Sequence, residues 1–146
     1  MNDWSYNEMR AIYENIMDIK NVPQGWTLAA AFSTDMDCIG LPGYIDEMFD
    51  ISNREISKQH KIGSVSRIDN LYMLFVKESS YDAPSWDALE KSMYKLAHKV
   101  DVKHIHKLAM PKICTGKYGF NWEQEVLPLI EEAFAYTDVE IMICCK

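Results

Sequence analysis

The chain has 146 residues, of which 48% are hydrophobic and 25% are charged, and its formal net charge is -7. This length and composition predict one globular domain over residues 1–146, with a core that needs neither disulfides nor metal ions. The acidic balance disfavours non-specific binding to a nucleic-acid backbone, and no apolar run is long enough to span a membrane.

The first quarter of the chain contains one ambiguous segment and one clear strand. Apolar residues in Tyr6–Ile19 recur at helical spacing, yet Met9–Tyr13 also fits a short strand, and the pattern leaves both open. Trp26–Phe32 is small, apolar and continuous, which predicts a buried strand. Ser33–Gly43 is then expected to be a loop that leads into Tyr44–Phe49.

The middle of the chain predicts a helix followed by a hairpin. The helix is expected over Ile51–Lys61. Ser64–Ile68 alternates like a strand, Asp69-Asn70 is typical of a turn, and Leu71–Lys77 is a strongly apolar strand. Glu78–Pro84 is expected to be a polar loop.

The next segments predict a helix, a strand and a glycine-containing loop. Ser85 is a suitable N-cap for a helix from Trp86 to about Lys99. His104–Met110 is the next predicted strand, and Pro111–Phe120 is the loop that follows it.

The last quarter predicts a helix and a closing strand. Asn121 is placed to cap a helix that reaches about Tyr136, with Gln124 at the capping-box position. Pro128 falls inside this helix, which predicts a kink and a cost of about 3 kcal/mol. Val139–Cys144 is expected to be a buried strand.

Strands that alternate with helices in this order predict an α/β protein with three layers, α/β/α, around a mixed central sheet. In such sheets ligands bind beyond the carboxyl ends of the strands. Ser33–Gly43, Glu78–Pro84 and Pro111–Phe120 all follow strands, so a crevice between them is the expected site.

Pro111–Phe120 has the composition of an anion-binding loop. Backbone amides freed at a glycine turn and at a helix N-terminus point outward and carry partial positive charge, which suits phosphate. An ordinary strand-to-helix connection explains the same residues, and the loop alone does not separate the two hypotheses.

The cysteine and histidine patterns do not predict a metal site or a cofactor. Cys38, Cys114, Cys144 and Cys145 form no Cys-x-x-Cys pair, so four thiols in a reducing cytoplasm are expected. His104 and His106 lie on one face of a predicted strand, but no third ligand is near them in sequence.

Several motifs together resemble the macro domain family, which binds ADP-ribose. They are LAMPKICTG, NWEQEVLPLIEEAF and VEIMICC near the C-terminus, with LAAAFSTD, GLPGYIDEMF and LYMLFVKESS before them. The resemblance extends from about Trp26 to the end of the chain. It is strongest to the branch that contains terminal ADP-ribose protein glycohydrolase and the ADP-ribose 1″-phosphate phosphatases, and it implies a macro-domain-like fold.

The resemblance implies two ligand-binding loops. The first, around Asp35, would wrap the distal ribose and a phosphate, and the second would cradle the diphosphate through its backbone amides. The expected ligand-binding residues are Ser33, Gly40, Gly43, Ile45, Cys114, Thr115, Gly116, Lys117, Tyr118, Gly119 and Phe120.

The resemblance also implies catalytic roles for Asp35, Lys77 and Tyr118. Lys77 stands where the glycohydrolases have a nucleophilic lysine, although a lysine that ends a strand and reaches solvent fits the pattern too. Asp35 is the expected acid or base, and the competing interpretation is a loop aspartate that binds its own backbone amides. Tyr118 occupies the position of the glycohydrolase aspartate, and this aromatic residue is closer to the phosphatase pattern.

The resemblance therefore implies a hydrolase that acts on ADP-ribose or a derivative of it. Removal of phosphate from ADP-ribose 1″-phosphate is favoured. The alternatives are release of ADP-ribose from an ADP-ribosylated protein through Lys77 and binding without turnover. The family's early Gly-Asp motif, which contacts adenine, is missing. Asn15 or Asp18 is the nearest substitute, if that segment is a strand.

Overall fold

A computed structural model describes residues 12–37, 41–55 and 58–145. Its strands are β1 Ile12–Asn15, β2 Thr27–Ser33, β3 Val65–Ile68, β4 Leu71–Lys77, β5 Lys107–Pro111 and β6 Glu140–Cys144. They form one six-stranded sheet in the order β1-β6-β5-β2-β4-β3. Only β3 runs antiparallel to its neighbour, and the other pairs are parallel.

The helices lie on both faces of this sheet. They are α1 Leu41–Phe49, α2 Ile51–Glu55, α3 Trp86–Val102 and α4 Leu127–Ala133, with a short 3-10 helix at Ile19–Asn21 and a π-helical turn at Trp122–Val126.

Strand β4 explains why both faces of the sheet are covered. Its successive side chains point to opposite faces, and both sets are apolar. Leu71, Met73 and Phe75 pack in the cluster that contains Ile45 of α1 and Ile51 of α2, whereas Tyr72, Leu74 and Val76 pack with α3 and α4. The three-layer α/β fold with a mixed sheet is therefore confirmed.

Local capping and turn signals are confirmed. The Ala88 amide donates to the Ser85 hydroxyl at 3.2 Å, and the Gln124 amide donates to the Asn121 side chain at 2.8 Å. Asp69, with a φ of 52°, turns the chain between β3 and β4.

In the first half, one open alternative is resolved and two boundaries differ from the predictions. The ambiguous early segment is a strand over Ile12–Asn15, and its first residues lie outside the described ranges. Helix α1 begins at Leu41, so Gly43 lies in its first turn rather than in a loop. Helix α2 ends at Glu55, and residues 58–61 are not helical.

The prediction that His104 and His106 share a strand face is wrong. Strand β5 begins only at Lys107, and His104 has a φ of 55° in the turn after α3. Because α3 continues to Val102, the chain needs this left-handed residue to reverse towards the sheet.

The helix around Pro128 begins differently from the predicted regular helix. The π-helical turn precedes α4, so Pro128 falls in the first turn of α4, where a backbone N–H is not required. The wider turn also makes Glu125, rather than Gln124, the residue whose side chain accepts from the Asn121 amide, at 2.9 Å. The helix ends at Ala133, before the predicted Tyr136.

Candidate functional site

A cleft of about 610 Å³ opens at the carboxyl ends of β2, β4 and β5, which is the size of a small-molecule site. All three predicted loops contribute to its walls. The lining residues are Ala30, Ala31, Phe32, Ser33, Asp37, Val76, Lys77, Ser80, Tyr81, Asp82, Pro84, Pro111, Lys112, Ile113, Cys114, Gly116, Lys117, Tyr118 and Gly119.

A bulge at the ends of β2 and β4 places Lys77 in this cleft. The register shifts between Phe32 and Ser33, so that Ser33 pairs with Lys77. A bulge of this kind redirects the side chains next to it. The Lys77 side chain is half-buried, and its Nζ donates to the carbonyl oxygen of Ser80 at 3.0 Å. Lys77 therefore does not simply extend into solvent.

Asp35 is held by the loop around it. Its Oδ1 accepts from the Ser33 hydroxyl at 2.6 Å and from the Asp37 amide at 3.0 Å, and its Oδ2 accepts from the Ser80 amide at 3.4 Å. The Ser33 bond, followed by the Asp37 amide, lowers the pKa of Asp35, and the charge of Lys77 adds to this effect. Asp35 is ionised at neutral pH, with the contacts of an aspartate that caps its own loop.

The second loop is shaped by a close backbone contact at Gly119. The Gly119 amide donates to the Gly116 carbonyl at 2.9 Å, and the Phe120 amide donates to the Cys114 carbonyl at 2.7 Å. Among the described residues, the amides of Gly116, Lys117 and Tyr118 have no acceptor. These three residues line the cleft, and their amides form an amide edge there, whereas the Gly119 amide is already used within the turn.

Cys114 lies in the wall between this loop and Lys77. Burial raises the pKa of its thiol to about 12, although the positive charge of Lys77 opposes the increase. The thiol is therefore protonated at neutral pH, which favours a packing role over a nucleophilic one.

The two aromatic residues of the loop lie in different environments. The Tyr118 side chain is 74% exposed at the mouth of the cleft, and Lys117 Nζ lies 5.3 Å from the centre of its ring. Phe120 instead packs edge-on against Trp86, with 5.1 Å between the ring centres, and does not line the cleft.

The remaining predicted site residues lie behind the walls or outside the described ranges. Ile45 is fully buried in the core, and the Thr115 hydroxyl donates to the Lys112 carbonyl at 2.6 Å. Gly40 is outside the described residues. Asn15 ends β1, where its side-chain nitrogen Nδ2 donates to the sulfur of Met142 at 3.3 Å. Asp18 caps the short 3-10 helix.

The interior of the third loop contains cleft residues that no sequence signal singled out. Glu78–Pro84 was predicted as a wall of the crevice, but Ser80, Tyr81 and Asp82 were not singled out within it. Ser80 contacts Lys77, Asp35 and Asp37. The sequence signal for this part of the site is a polar stretch directly after a buried strand. That signal does not distinguish Ser80 from the neighbouring Ser79.

The cleft carries charged side chains of both signs. Three lysines and two aspartates line it. Asp35 lies close to Lys77, and Lys112 is paired with Glu14 at 3.1 Å. Within residues 12–37, 41–55 and 58–145, no group of three or more His, Cys, Asp or Glu side chains is arranged to hold a metal ion. Across the same ranges, no helix is long and apolar enough to cross a membrane.

Comparison with solved structures decides the fold. The structure superposes on the macrodomain of Thermus aquaticus DarG with a TM-score of 0.81, at 17% identity, over 92% of this chain and 98% of that one. The chain has the macrodomain fold. The macrodomain of Mycobacterium tuberculosis DarG gives a TM-score of 0.80 at 15% identity, over 92% of this chain and 97% of that one. Thermosipho africanus DarTG in complex with ADP-ribose gives 0.68 at 15% identity, over 82% of this chain and 38% of that one.

Sequence comparison adds a similarity that covers less of the chain. The chain is 28% identical over 92 residues to ADP-ribose glycohydrolase OARD1 of Homo sapiens, and the match to the Bos taurus protein has the same values. The match spans 60% of this chain and 60% of each relative. No family model matches the sequence.

Proposed function

We propose that this macrodomain binds the ADP-ribosyl group in its cleft and hydrolyses the bond at the anomeric carbon of the distal ribose. One observation carries the proposal: the amine of Lys77 and the free amides of Gly116, Lys117 and Tyr118 border the same cleft. The similarity to proteins named ADP-ribose glycohydrolase supports the same reaction class.

The amide edge is suited to the diphosphate of ADP-ribose. Its N–H groups have no acceptor among the described residues, so they are available to a ligand at little cost in rearrangement. Lys117 and Lys112 add positive charge on the same side of the cleft. Lys112 is also paired with Glu14 at 3.1 Å, so Lys117 is the less constrained of the two cations.

The proposed reaction uses Lys77 as the nucleophile. In its neutral form, the Nζ lone pair forms a bond to the anomeric carbon while the bond from that carbon to the ester oxygen breaks, and the electron pair leaves with the carboxylate of the modified side chain. The nitrogen loses a proton to solvent. The oxygen of a water molecule then forms a bond to the same carbon while the bond from that carbon to Nζ breaks, and one proton of the water passes to the nitrogen. This step releases ADP-ribose and regenerates the amine. Ionised Asp35 stabilises positive charge that develops next to Lys77.

A second reaction is favoured by Tyr118. This residue stands where the resembling glycohydrolases have a carboxylate, and an aromatic there is closer to the ADP-ribose 1″-phosphate phosphatases. In that case water attacks phosphorus, the phosphorus–oxygen bond to the ribose breaks, and the loop amides stabilise the negative charge that accumulates.

The test compares the wild-type protein with Lys77→Ala and with a matched control, Lys107→Ala. Lys107 is also a strand-end lysine, but it begins β5 and does not line the cleft. Each protein is titrated with ADP-ribose by calorimetry, then incubated with an ADP-ribosylated glutamate peptide and with ADP-ribose 1″-phosphate.

Each outcome identifies one function. Release of ADP-ribose from the peptide by wild type and Lys107→Ala, but not by Lys77→Ala, supports the nucleophile, as does an adduct on Lys77 after reduction. Release of phosphate that survives Lys77→Ala supports the phosphatase. Binding without either product supports a reader that does not catalyse hydrolysis. Absence of ADP-ribose binding in the wild type overturns the whole proposal.

A further inference from the structure

Ser80 connects the groups that surround Lys77, and no sequence motif predicted it. Its carbonyl oxygen accepts from Lys77 Nζ at 3.0 Å, and its hydroxyl donates to Asp37 Oδ2 at 2.9 Å. Its amide donates to Asp35 Oδ2 at 3.4 Å. All three polar groups of this one residue are therefore engaged, each with a different neighbour.

We propose that Ser80 is a positioning residue that orients the Lys77 amine towards the ligand in the cleft. The proposal rests on the proposed function, since it assigns a role to the amine that the reaction uses. Ser80 does not need to touch the reacting atoms, because it acts through its carbonyl oxygen.

The orienting effect follows from the shape of an amine. A neutral primary amine has two N–H bonds and one lone pair, arranged tetrahedrally around the nitrogen. When the Ser80 carbonyl holds one N–H, rotation about the Cε–Nζ bond is restricted. The lone pair of Lys77 then has a restricted set of directions, away from Ser80. A pre-oriented nucleophile avoids the entropic cost of finding the reactive geometry.

The carbonyl can orient Lys77 only if it is itself held in place. Two bonds from Ser80 to the 33–37 loop do this, one to Asp35 and one to Asp37. That loop is in turn attached to the end of β4, because the Thr34 amide donates to the Lys77 carbonyl at 2.9 Å. The bonds form a closed ring, so the Ser80 carbonyl cannot shift without breaking one of them.

The neighbouring serine provides a matched control. The Ser79 hydroxyl accepts from the Tyr81 amide at 3.3 Å, and the Ser79 amide donates to Asp82 at 3.1 Å. These bonds remain inside the 78–82 loop and do not reach Lys77. Ser79→Ala therefore removes a hydroxyl from the same loop without removing the link to Asp37.

The first readout needs no substrate. In protein labelled with ¹³C-lysine, the two diastereotopic Hε protons of Lys77 differ widely in chemical shift when the bond from Nζ to the Ser80 carbonyl holds the side chain in one rotamer. The difference shrinks when the side chain samples several rotamers. Lys77→Arg assigns the signal. We expect Ser80→Ala to collapse the difference, whereas Ser80→Thr, which keeps a hydroxyl, and Ser79→Ala preserve it.

The second readout is turnover of the ADP-ribosylated glutamate peptide. We expect Ser80→Ala to lower kcat by about ten- to a hundredfold, with KM and the Kd for ADP-ribose within twofold of wild type. Ser80→Thr should recover most of kcat. Asp37→Ala should lower kcat by a similar factor. The double variant Ser80→Ala/Asp37→Ala should lose little more kcat than either single variant, because both substitutions remove the same Ser80–Asp37 hydrogen bond.

The results separate this proposal from the proposed function. An unchanged Lys77 signal in Ser80→Ala overturns the positioning role, as does an equal loss of kcat in Ser79→Ala. If the wild type turns over no substrate but Ser80→Ala still collapses the Hε difference, the orientation of Lys77 by Ser80 stands and only the reaction is wrong.

Discussion

Replacement of Gly119 by alanine is expected to deform the second loop of the cleft. A Cβ at this position would lie 2.7 Å from the carbonyl carbon of Cys114 and 3.0 Å from the amide nitrogen of Gly116, and closer still to the Cys114 carbonyl oxygen. These are backbone atoms, so they cannot rotate away as the end of a side chain can. The chain must move by at least about 0.7 Å to restore an ordinary contact of 3.4 Å.

The expected loss of stability follows from two backbone hydrogen bonds in this loop. A shift of this kind weakens the Gly119–Gly116 and Phe120–Cys114 backbone hydrogen bonds, each of which contributes about 0.5–1.5 kcal/mol to stability. Loss of both corresponds to about 1–3 kcal/mol. For a chain of this length we expect the melting temperature to fall by about 3–10 °C.

The matched control is Gly116→Ala in the same loop. No atom lies within 4 Å of a Cβ built on Gly116, so this variant should melt within about 1 °C of wild type. Thermal denaturation followed by circular dichroism measures stability, and calorimetric titration measures ADP-ribose affinity. We expect Gly119→Ala to lose at least tenfold in affinity, because the amides beside the turn move with it. If Gly119→Ala keeps both the melting temperature and the affinity of wild type, the argument from the close contact is refuted.

Three further predictions concern stability and reactivity. Asn121→Ala should lower the free energy of unfolding in urea by about 1 kcal/mol, because the Gln124 amide loses its acceptor; an unchanged midpoint would count against the cap. At pH 8, alkylation followed by peptide mass spectrometry should modify exposed Cys145 well before Cys114, whose pKa is raised to about 12 by burial; equal rates would contradict this order. The pKa of Asp35 is lowered in the folded state. The ionised carboxylate therefore contributes to folding stability above the usual carboxyl pKa, and this contribution is lost as the pH falls through the lowered pKa. Asp35→Asn should therefore lose stability at pH 7, by less than about 1 kcal/mol, and the difference from wild type should shrink as the pH falls below the usual carboxyl range. A stability difference that stays constant at every pH would argue against a role for the Asp35 charge.

The strands, caps and hairpin could be predicted because their signals are local. Leu71–Lys77 is apolar on both faces, Ser85 and Asn121 precede amphipathic segments, and Asp69-Asn70 separates two strands. Each feature depends on neighbours within a few residues. The end points of the helices were less predictable, because the π-helical turn before Pro128 depends on how the whole segment packs.

The amino-acid sequence by itself determined the three-layer α/β architecture and the three loops that form the walls of the cleft. It also placed Lys77 at a strand end, where a functional lysine and an ordinary one have the same pattern. Only the tertiary structure placed its amine, which lies in the cleft and donates to the Ser80 carbonyl. The bulge that pairs Ser33 with Lys77 joins two parallel strands, and the bonds from Ser80 to Asp35 and Asp37 join residues 45 and 43 positions apart. Contacts over such separations form only when the sheet brings the strand ends together, so no local pattern encodes them.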